Sequence, residues 1–240
     1  MVEIEFGYLD PVIGQYTPVV PMSKVLPEWY RKLPTMSPGA AKCPIQRLLN
    51  LDSNKDFTTI KGCPPVQDYL TSGYAIPWSY ETFFSVQSHE DGTKGFKFYS
   101  ANKEYISFHH AQQFPEIKSY MFKVNSPWTI KTPKGYSCLF FQSPLHMENR
   151  YAMIPAIVDT DSYHQPNFVG HMLEDEFTVK PNEPLIFVMP FKREHFRLKL
   201  VKREIDNYTV MFGSKRMDGA HSLYAQHAYK ILSWARKLFQ

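Results

Sequence analysis

The sequence predicts a mainly-β, all-β protein with a jelly-roll or β-sandwich body, an extended N-terminal arm and a C-terminal amphipathic helix. Aromatic residues make up 15% of the chain, with 18 Phe and 15 Tyr, while 19 Pro are spread along it and Gly numbers only 11. Short apolar and aromatic runs recur about every eight to twelve residues with turn residues between them, which is typical of sandwiches and barrels. At 240 residues the chain suits one structural domain.

Residues 1–69 form the predicted arm. A short strand is expected from Val2 to Tyr8, followed by a proline-rich passage. Within that passage "SKVLPEWYRKL" favours one or two helical turns, with Pro27 at an early helical position. Apolar residues recur along the arm, so we expect it to dock on the body rather than to be disordered.

Residues 70–212 form the predicted body. A short helix opening at Pro64 and Pro65 is expected to close at Gly73 in a left-handed cap, and the Asp91-Gly92 pair predicts a hairpin turn. Strands are then predicted at "YAIPW", "YETFFSVQ", "FKFYS", "SYMFKV", "WTIKT", "YSCLFFQ", "AIVDT", "FVGHML", "EFTV", "PLIFVMP" and "FRLKLV".

The last two of these strands come from "PLIFVMPFKREHFRLKL", residues 184–200. Its apolar half reads as a central strand that ends at Pro190. Its charged half alternates, with Phe196, Leu198 and Leu200 on one face and His195 on the other, which is the period of a half-buried strand.

Residues 213–240 are predicted to form the C-terminal helix, from about Ala220 to Phe239. Basic residues cluster late in this segment, where positive charge suits the helix dipole. Its apolar side chains fall at near-helical spacing and predict a face that packs on the sheet or on a partner. They are Leu223, Ala228, Ile231, Ala235 and Leu238.

Charge and cysteine content limit the partners and the compartment. The formal net charge is only +4 and does not predict a nucleic-acid partner. Residues 192–216 carry eight basic and three acidic residues, a local +5, which we interpret as a solvated face. Three cysteines, an odd and low count, fit a reducing compartment. The acidic start lacks the pattern of a secretion signal and no stretch is long enough to span a membrane, so we expect a cytoplasmic protein.

A possible metal site begins with His146 and Glu148 in "LHMEN". Residues at i and i+2 share a face of a strand, so both side chains would converge on one ion there. His195 would complete the two-histidine, one-carboxylate set of non-haem iron oxygenases, with His164 and His171 as nearer alternatives. Against this interpretation, "SPLHMENRY" reads as a loop between strands.

Other catalytic patterns are weak. Asp159 and Asp161 are same-face carboxylates that suit acid–base chemistry, but aspartates at strand ends more often cap turns. Cys138 in "YSCLFFQ" reads as buried and inert. No G-x-S-x-G, G-x-x-x-x-G-K-[ST] or G-x-G-x-x-G sequence is present, so no catalytic residue is assigned.

Two resemblances add to this interpretation. The strand–turn–strand run "FTVKPNEPLIFVMPF" is similar in shape to the second half of a cupin-type jelly roll, although Asn182-Glu183 replaces the Gly-Asp of that family. The chain also resembles an uncharacterised family seen in tailed phages of marine bacteria and in environmental bacteria. Five segments carry this second likeness and imply a viral or environmental origin: "LPEWYRKL", "KGCPPVQDYLTSGYAIP", "PWTIKTPKGYSCLFFQSP", "AIVDTDSY" and "PLIFVMPFKREHF".

These observations favour a non-enzymatic binding or structural assembly protein of phage or environmental-bacterial type. Its expected partner is another protein or a second copy of itself, with no cofactor and no membrane. Its compartment would be the host cytoplasm, or the virion if a phage encodes it. The alternative is a cupin-like or jelly-roll oxygenase that uses Fe(II) or another divalent metal bound by His146, Glu148 and His195.

Overall fold

Antiparallel β-sheets dominate the part of the chain that the structure describes, which confirms the predicted mainly-β, sandwich-like class. The computed structural model describes residues 2–8, 10–37, 57–88, 94–110 and 113–200. The predicted C-terminal helix lies outside these residues.

Among the described residues, the regular elements are mostly short strands, with helices of one to about two turns. The helices are α1 (Pro11–Tyr16), α2 (Glu28–Lys32) and α3 (Pro64–Thr71), with 3-10 turns at Met22–Lys24, Ile60–Gly62 and Pro144–His146. The first eight strands are β1 (Glu5–Tyr8), β2 (Val20–Pro21), β3 (Met36–Ser37), β4 (Phe57–Thr58), β5 (Tyr74–Pro77), β6 (Thr82–Ser88), β7 (Lys94–Ser100) and β8 (Ile106–Phe108). The later ones are β9 (Met121–Asn125), β10 (Trp128–Lys131), β11 (Tyr136–Phe141), β12 (Tyr151–Met153), β13 (Ala156–Val158), β14 (Asn167–Met172), β15 (Glu176–Val179) and β16 (Pro184–Lys192).

The chain divides into two compact units. Met1–Val25 and Ser72–His195 form the first, and Leu26–Thr71 and Phe196–Gln240 form the second. In the second unit, β3 pairs with β4 in an antiparallel ladder. The Lys61 ammonium donates a 2.9 Å hydrogen bond to the carbonyl of Arg31 there, which ties the turn before α3 to α2.

The first unit contains the larger sheets. A five-stranded sheet has the order β13-β11-β16-β5-β2, a four-stranded sheet β12-β14-β9-β8, a three-stranded sheet β15-β6-β7, and β1 pairs with β10. Strands β11 to β14 alternate along the chain between the five-stranded and four-stranded sheets. This crossing between sheets is the kind of connection found in jelly rolls.

A single aromatic-rich core is shared by these sheets of the first unit. Its largest fully buried side chains are contributed by strands of different sheets or by the residues that follow them, so burial of their rings joins the sheets together. They include Trp78, Phe84, Phe122, Phe140 and Tyr151.

Strand β16 is buried on both faces, which explains its continuous apolar run. Ile186 and Val188 point into the main core. Phe187 points the other way and packs with Met22 and Ala75 in a second small cluster. Met22 belongs to the proline-rich N-terminal segment and is only 1% exposed, so this part of the segment is docked, as its apolar residues predict.

Most predicted strands are found, and local signals are confirmed where they can be observed. Gly73 has φ +84°, the left-handed conformation predicted for it. Strands β6 and β7 form the predicted hairpin, although its turn lies outside the described residues. Strands β2, β3, β4, β8 and β12 were not predicted. The α1 helix was not predicted either; Asp10 caps it by accepting a 2.9 Å hydrogen bond from the Val12 amide.

The strand predicted at "FRLKLV" is wrong for residues 196–200, which form no regular element. Phe196, Leu198 and Leu200 are 89%, 82% and 87% exposed rather than buried on one face. Strand β16 ends at Lys192, which pairs with Tyr136, the first residue of β11. Beyond that pair, β11 offers no further backbone for the chain to join.

Candidate functional site

The segment that carries His146 and Glu148 is a loop, as its flanking Pro144 and Asn149 indicate. Pro144–His146 form a 3-10 turn, and Met147 after it adopts a left-handed conformation with φ 52°. Because the backbone is not extended there, the strand geometry that would place the His146 and Glu148 side chains on one face is absent.

His146 holds part of the N-terminal segment. Its Nε2 lies 2.8 Å from the carbonyl oxygen of Val25, so the neutral ring donates a hydrogen bond from Nε2. The ring packs on Phe187 at a centroid distance of 4.5 Å. Its Nδ1 is buried with no hydrogen-bond partner among the described residues. Burial lowers the pKa of His146, although the hydrogen bond to Val25 opposes this shift.

Glu148 forms an ion pair with Arg150. Both of its carboxylate oxygens accept hydrogen bonds from Arg150, at 2.8 Å from Nε and 2.6 Å from one terminal nitrogen. That nitrogen also lies 2.7 Å from the Glu183 carboxylate, and the other terminal nitrogen donates to the Thr178 carbonyl at 2.7 Å. Burial alone would raise the pKa of Glu148, but the hydrogen bonds from Arg150 outweigh it and lower the pKa.

The three predicted metal ligands are therefore not brought together. His195 lies in the exposed segment after β16 and belongs to no sheet. The alternatives are occupied by neighbours: His171 Nδ1 is 2.9 Å from the Ser119 hydroxyl, and His164 Nδ1 is 3.0 Å from the Thr160 carbonyl. Over the described residues, no group of three His, Cys, Asp or Glu side chains is placed to share an ion.

Asp159 and Asp161 both form ion pairs with Arg193. One guanidinium nitrogen of Arg193 lies 2.8 Å from Asp159, and the other contacts Asp161. Asp159 also accepts a 2.7 Å hydrogen bond from the Ser137 hydroxyl, and Asp161 accepts one of 2.8 Å from the Gly135 amide. Hydrogen bonds from these partners lower the pKa of both carboxyls, which suits ion pairing rather than general acid chemistry.

Two other features, the Cys138 thiol and a small groove beside Val25, do not favour a reaction. Cys138 is fully buried, as predicted, and burial raises the pKa of its thiol. A groove of about 190 Å³ beside Val25 is mostly apolar, with Lys24 as its charged side chain. This volume is below the roughly 300 Å³ at which small-molecule pockets usually begin.

The outer face of the three-stranded sheet is the most distinctive surface. We call this surface, formed by Phe83, Lys97, Tyr99 and Glu176 around the buried Ser85, the outer platform. Tyr99 is 59% exposed, and its ring stacks on Phe83 with centroids 6.3 Å apart and an interplanar angle of 22°. Lys97 and Glu176 are exposed. The platform therefore presents aromatic surface and both signs of charge on one flat face.

The strand at "FKFYS" was predicted, but this platform was not. The alternation in "FKFYS" carried the signal, because Phe96 and Phe98 on one face place Lys97 and Tyr99 on the other. Phe96 is buried in the main core. Which strands flank β7 and β6 could not be known from the sequence, so Glu176 on β15 was not connected to Lys97.

Substituting His146→Phe should make the protein less sensitive to mild acid. Because the folded-state pKa of His146 is lowered, its contribution to stability is present above the unfolded-state value of about 6.5 and is lost as pH falls toward the folded-state value. At neutral pH the variant should lose about 1 kcal/mol with the Val25 hydrogen bond. Urea unfolding at pH 7.5 and 5.5 measures both effects.

The control for this experiment is His171→Gln, which removes a half-buried histidine elsewhere in the first unit. Its free energy of unfolding should change between the two pH values by as much as that of the wild type. If the free energy of unfolding of His146→Phe changes between the two pH values as much as that of the wild type, the pH-dependent contribution assigned to His146 is contradicted.

Comparison with protein-family models and with curated proteins gives no match from which a role could be transferred. No helix among the described residues is both long and apolar enough to cross a lipid bilayer. No protein-family model matches the chain, and no curated protein matches it at a significant level.

Proposed function

We propose that this chain is a non-enzymatic structural protein that associates with copies of itself, of the type encoded by marine tailed phages and environmental bacteria. The observation that carries the proposal is the outer platform, where Tyr99 stacks on Phe83 in the open with Lys97 and Glu176 beside them. Exposed aromatic surface edged by charge is characteristic of association sites.

The polar clusters of the first unit support a structural role. Glu148 and Glu183 are both bound by Arg150, and Asp159 and Asp161 are both bound by Arg193. Through Arg150, Glu183 is held to the loop that carries Glu148, and through Arg193, Asp159 and Asp161 are held to the end of β16. We infer a cytoplasmic location, or the virion if a phage encodes the chain, in keeping with its odd and low cysteine count.

Sedimentation equilibrium of the untagged full chain tests this function. One copy has a mass of 28.0 kDa. We expect the weight-average mass to rise toward a multiple of that value as concentration increases through the micromolar range. A mass of one copy at every concentration would overturn the proposed function.

A further inference from the structure

We infer that the outer platform is a two-fold interface with a second copy of this chain, in which Lys97 of each copy pairs with Glu176 of the other. This inference rests on the proposed function and specifies its contact surface and its symmetry. It is carried by the strand register, which places opposite charges symmetrically about the central strand β6.

The register fixes a row of three residues across the sheet. Ser85 on β6 lies directly opposite Lys97 on β7 and directly opposite Glu176 on β15. Directly opposed residues of antiparallel strands point to the same face. Lys97 and Glu176 therefore lie on opposite sides of Ser85, each one strand spacing (~4.8 Å) away from it.

Such a row is self-complementary under one particular rotation. A two-fold axis parallel to β6, midway between two stacked sheets, places β6 over β6 and exchanges the outer strands. Strand β7 of each copy then lies over β15 of the other, so two Lys97–Glu176 pairs form. An in-plane axis perpendicular to the strands would place Lys97 over Lys97, and the repulsion between these like charges disfavours that arrangement.

The aromatic residues fit the same rotation. Phe83 is two residues from Ser85 on β6 and shares its face, so each Phe83 ring lies near the axis and meets its copy. Tyr99 and Thr178 lie opposite Phe83 on the two flanking strands, so Tyr99 of one copy faces Thr178 of the other. Stacked sheets pack about 10 Å apart, a distance that aromatic side chains from both sides fill.

The charges are available for this pairing. Within the described ranges, neither Lys97 nor Glu176 makes an ion pair. Pairing with the second copy therefore breaks no ion pair among the described residues. Because the pairs lie across an exposed face, the association should weaken as salt concentration rises.

Charge reversal tests the interface. In Lys97→Glu, both cross-copy pairs become repulsive, and the same is true of Glu176→Lys. We expect each variant to associate about 100-fold more weakly than the wild type. Lys131→Glu makes the same change of charge on the exposed side of β10 and should associate as the wild type does. Far-UV circular dichroism and urea unfolding identify any variant that fails to fold.

An equimolar mixture of the two single variants gives the decisive result. The Lys97→Glu copy carries two acidic side chains in the row and the Glu176→Lys copy two basic ones, so both pairs are attractive in a mixed dimer. Sedimentation velocity should show each variant alone as single copies and the mixture at twice 28.0 kDa. The double variant Lys97→Glu, Glu176→Lys should likewise associate with itself.

Three outcomes would overturn the inference, and they are distinguishable. If the wild type stays a single copy, the proposed function fails with it. If the wild type associates but both reversals associate equally well, the function stands and the interface lies elsewhere. If the reversals prevent association and the mixture stays as single copies, the residues matter without pairing across the axis, as in edge-to-edge joining of β7 strands.

Discussion

Replacing Trp78 with alanine should lower the free energy of unfolding by about 3–5 kcal/mol. Trp78 is 0% exposed and lies where several parts of the main core meet. Its ring lies 6.0 Å from that of Phe84 and 6.4 Å from that of Phe122. Tyr105 and Tyr151 contact it edge-on at 6.1 and 5.6 Å. Alanine would leave a cavity among rings that cannot all move in to fill it.

A polar contact adds to this loss. The indole Nε1–H of Trp78 donates a 2.8 Å hydrogen bond to the Tyr151 hydroxyl, which donates in turn to the Pro184 carbonyl at 3.2 Å. Alanine removes the first bond and leaves the hydroxyl oxygen without that donor. The backbone bonds of Trp78 to Glu183 and Asn182, at 2.8 and 3.0 Å, do not depend on the side chain, so β5 should keep its place.

Trp78→Phe is the matched comparison, because it keeps an aromatic ring and loses only part of the volume and the hydrogen bond. It should cost about 1–2 kcal/mol. Urea unfolding followed by far-UV circular dichroism ranks the free energies of unfolding of the three proteins. Equal unfolding midpoints for Trp78→Ala and the wild type would contradict the central role of this ring. If Trp78→Ala does not fold, comparison of the free energy of unfolding of Trp78→Phe with that of the wild type still tests the prediction.

The architecture was predictable wherever one strand's own pattern determines its environment. The unbroken apolar run at the start of β16 predicts a strand buried on both faces, and Phe187 and Val188 do contact different clusters. Gly73 was predictable as a left-handed residue because glycine after a helix commonly adopts that conformation. These predictions rest on local physical chemistry, which the sequence carries directly.

The failure at Phe196, Leu198 and Leu200 has a different origin. Their alternation specifies which side chains would share a face, but a strand also needs a neighbour to receive its backbone hydrogen bonds. Among the described residues, the backbone amide of Arg193 makes the last such contact, to the Gly135 carbonyl at 2.8 Å, in the turn that precedes β11. The end of a neighbouring strand is a property of the assembled sheet and cannot be read from the alternating segment alone.

The candidate metal site illustrates the same limit for function. The pattern of His146 and Glu148 is equally compatible with an ion site and with two separate structural contacts. Arg150, two residues after Glu148 in the sequence, indicated an ion pair between these two side chains. The partners that decide the matter, Val25 and Glu183, are distant along the chain, and only the fold brings them close.

Substituting Arg150→Met should lower the free energy of unfolding by about 2–4 kcal/mol at neutral pH. Methionine keeps an aliphatic side chain near the Tyr151 ring, whose centroid lies 5.9 Å from the guanidinium carbon. It removes every hydrogen bond that the guanidinium donates to the carboxylates of Glu148 and Glu183, whose side chains are only 16% and 32% exposed. The backbone amide of residue 150 still donates to Glu148 at 2.9 Å. Both charges would then be half-buried without a cation, which is the main source of the loss.

The dependence on pH separates this cause from a loss of packing. Because the folded-state pKa of Glu148 is lowered, its contribution to stability is present above the unfolded-state value of about 4.3 and is lost as pH falls toward the folded-state value. Arg150→Met removes the part of that contribution that comes from the guanidinium, whereas the backbone hydrogen bonds to Glu148 remain. The difference between the wild type and Arg150→Met should therefore shrink as the pH is lowered from neutral through about 4.3, whereas a packing defect would persist.

A double-mutant cycle completes the test. Glu148→Gln removes the charge but keeps the shape, so in that background Arg150→Met should cost less than it does in the wild type, by the coupling energy of the pair. The four proteins are compared by urea unfolding at neutral pH, where Arg150 and Glu148 are both ionised. If the two substitutions are additive, Arg150 stabilises the fold through contacts other than the one with Glu148, such as those to Glu183 and the Thr178 carbonyl. A positive coupling assigns Glu148 to the ion pair that closes this loop, and a carboxylate held in this way is not free to ligate a metal.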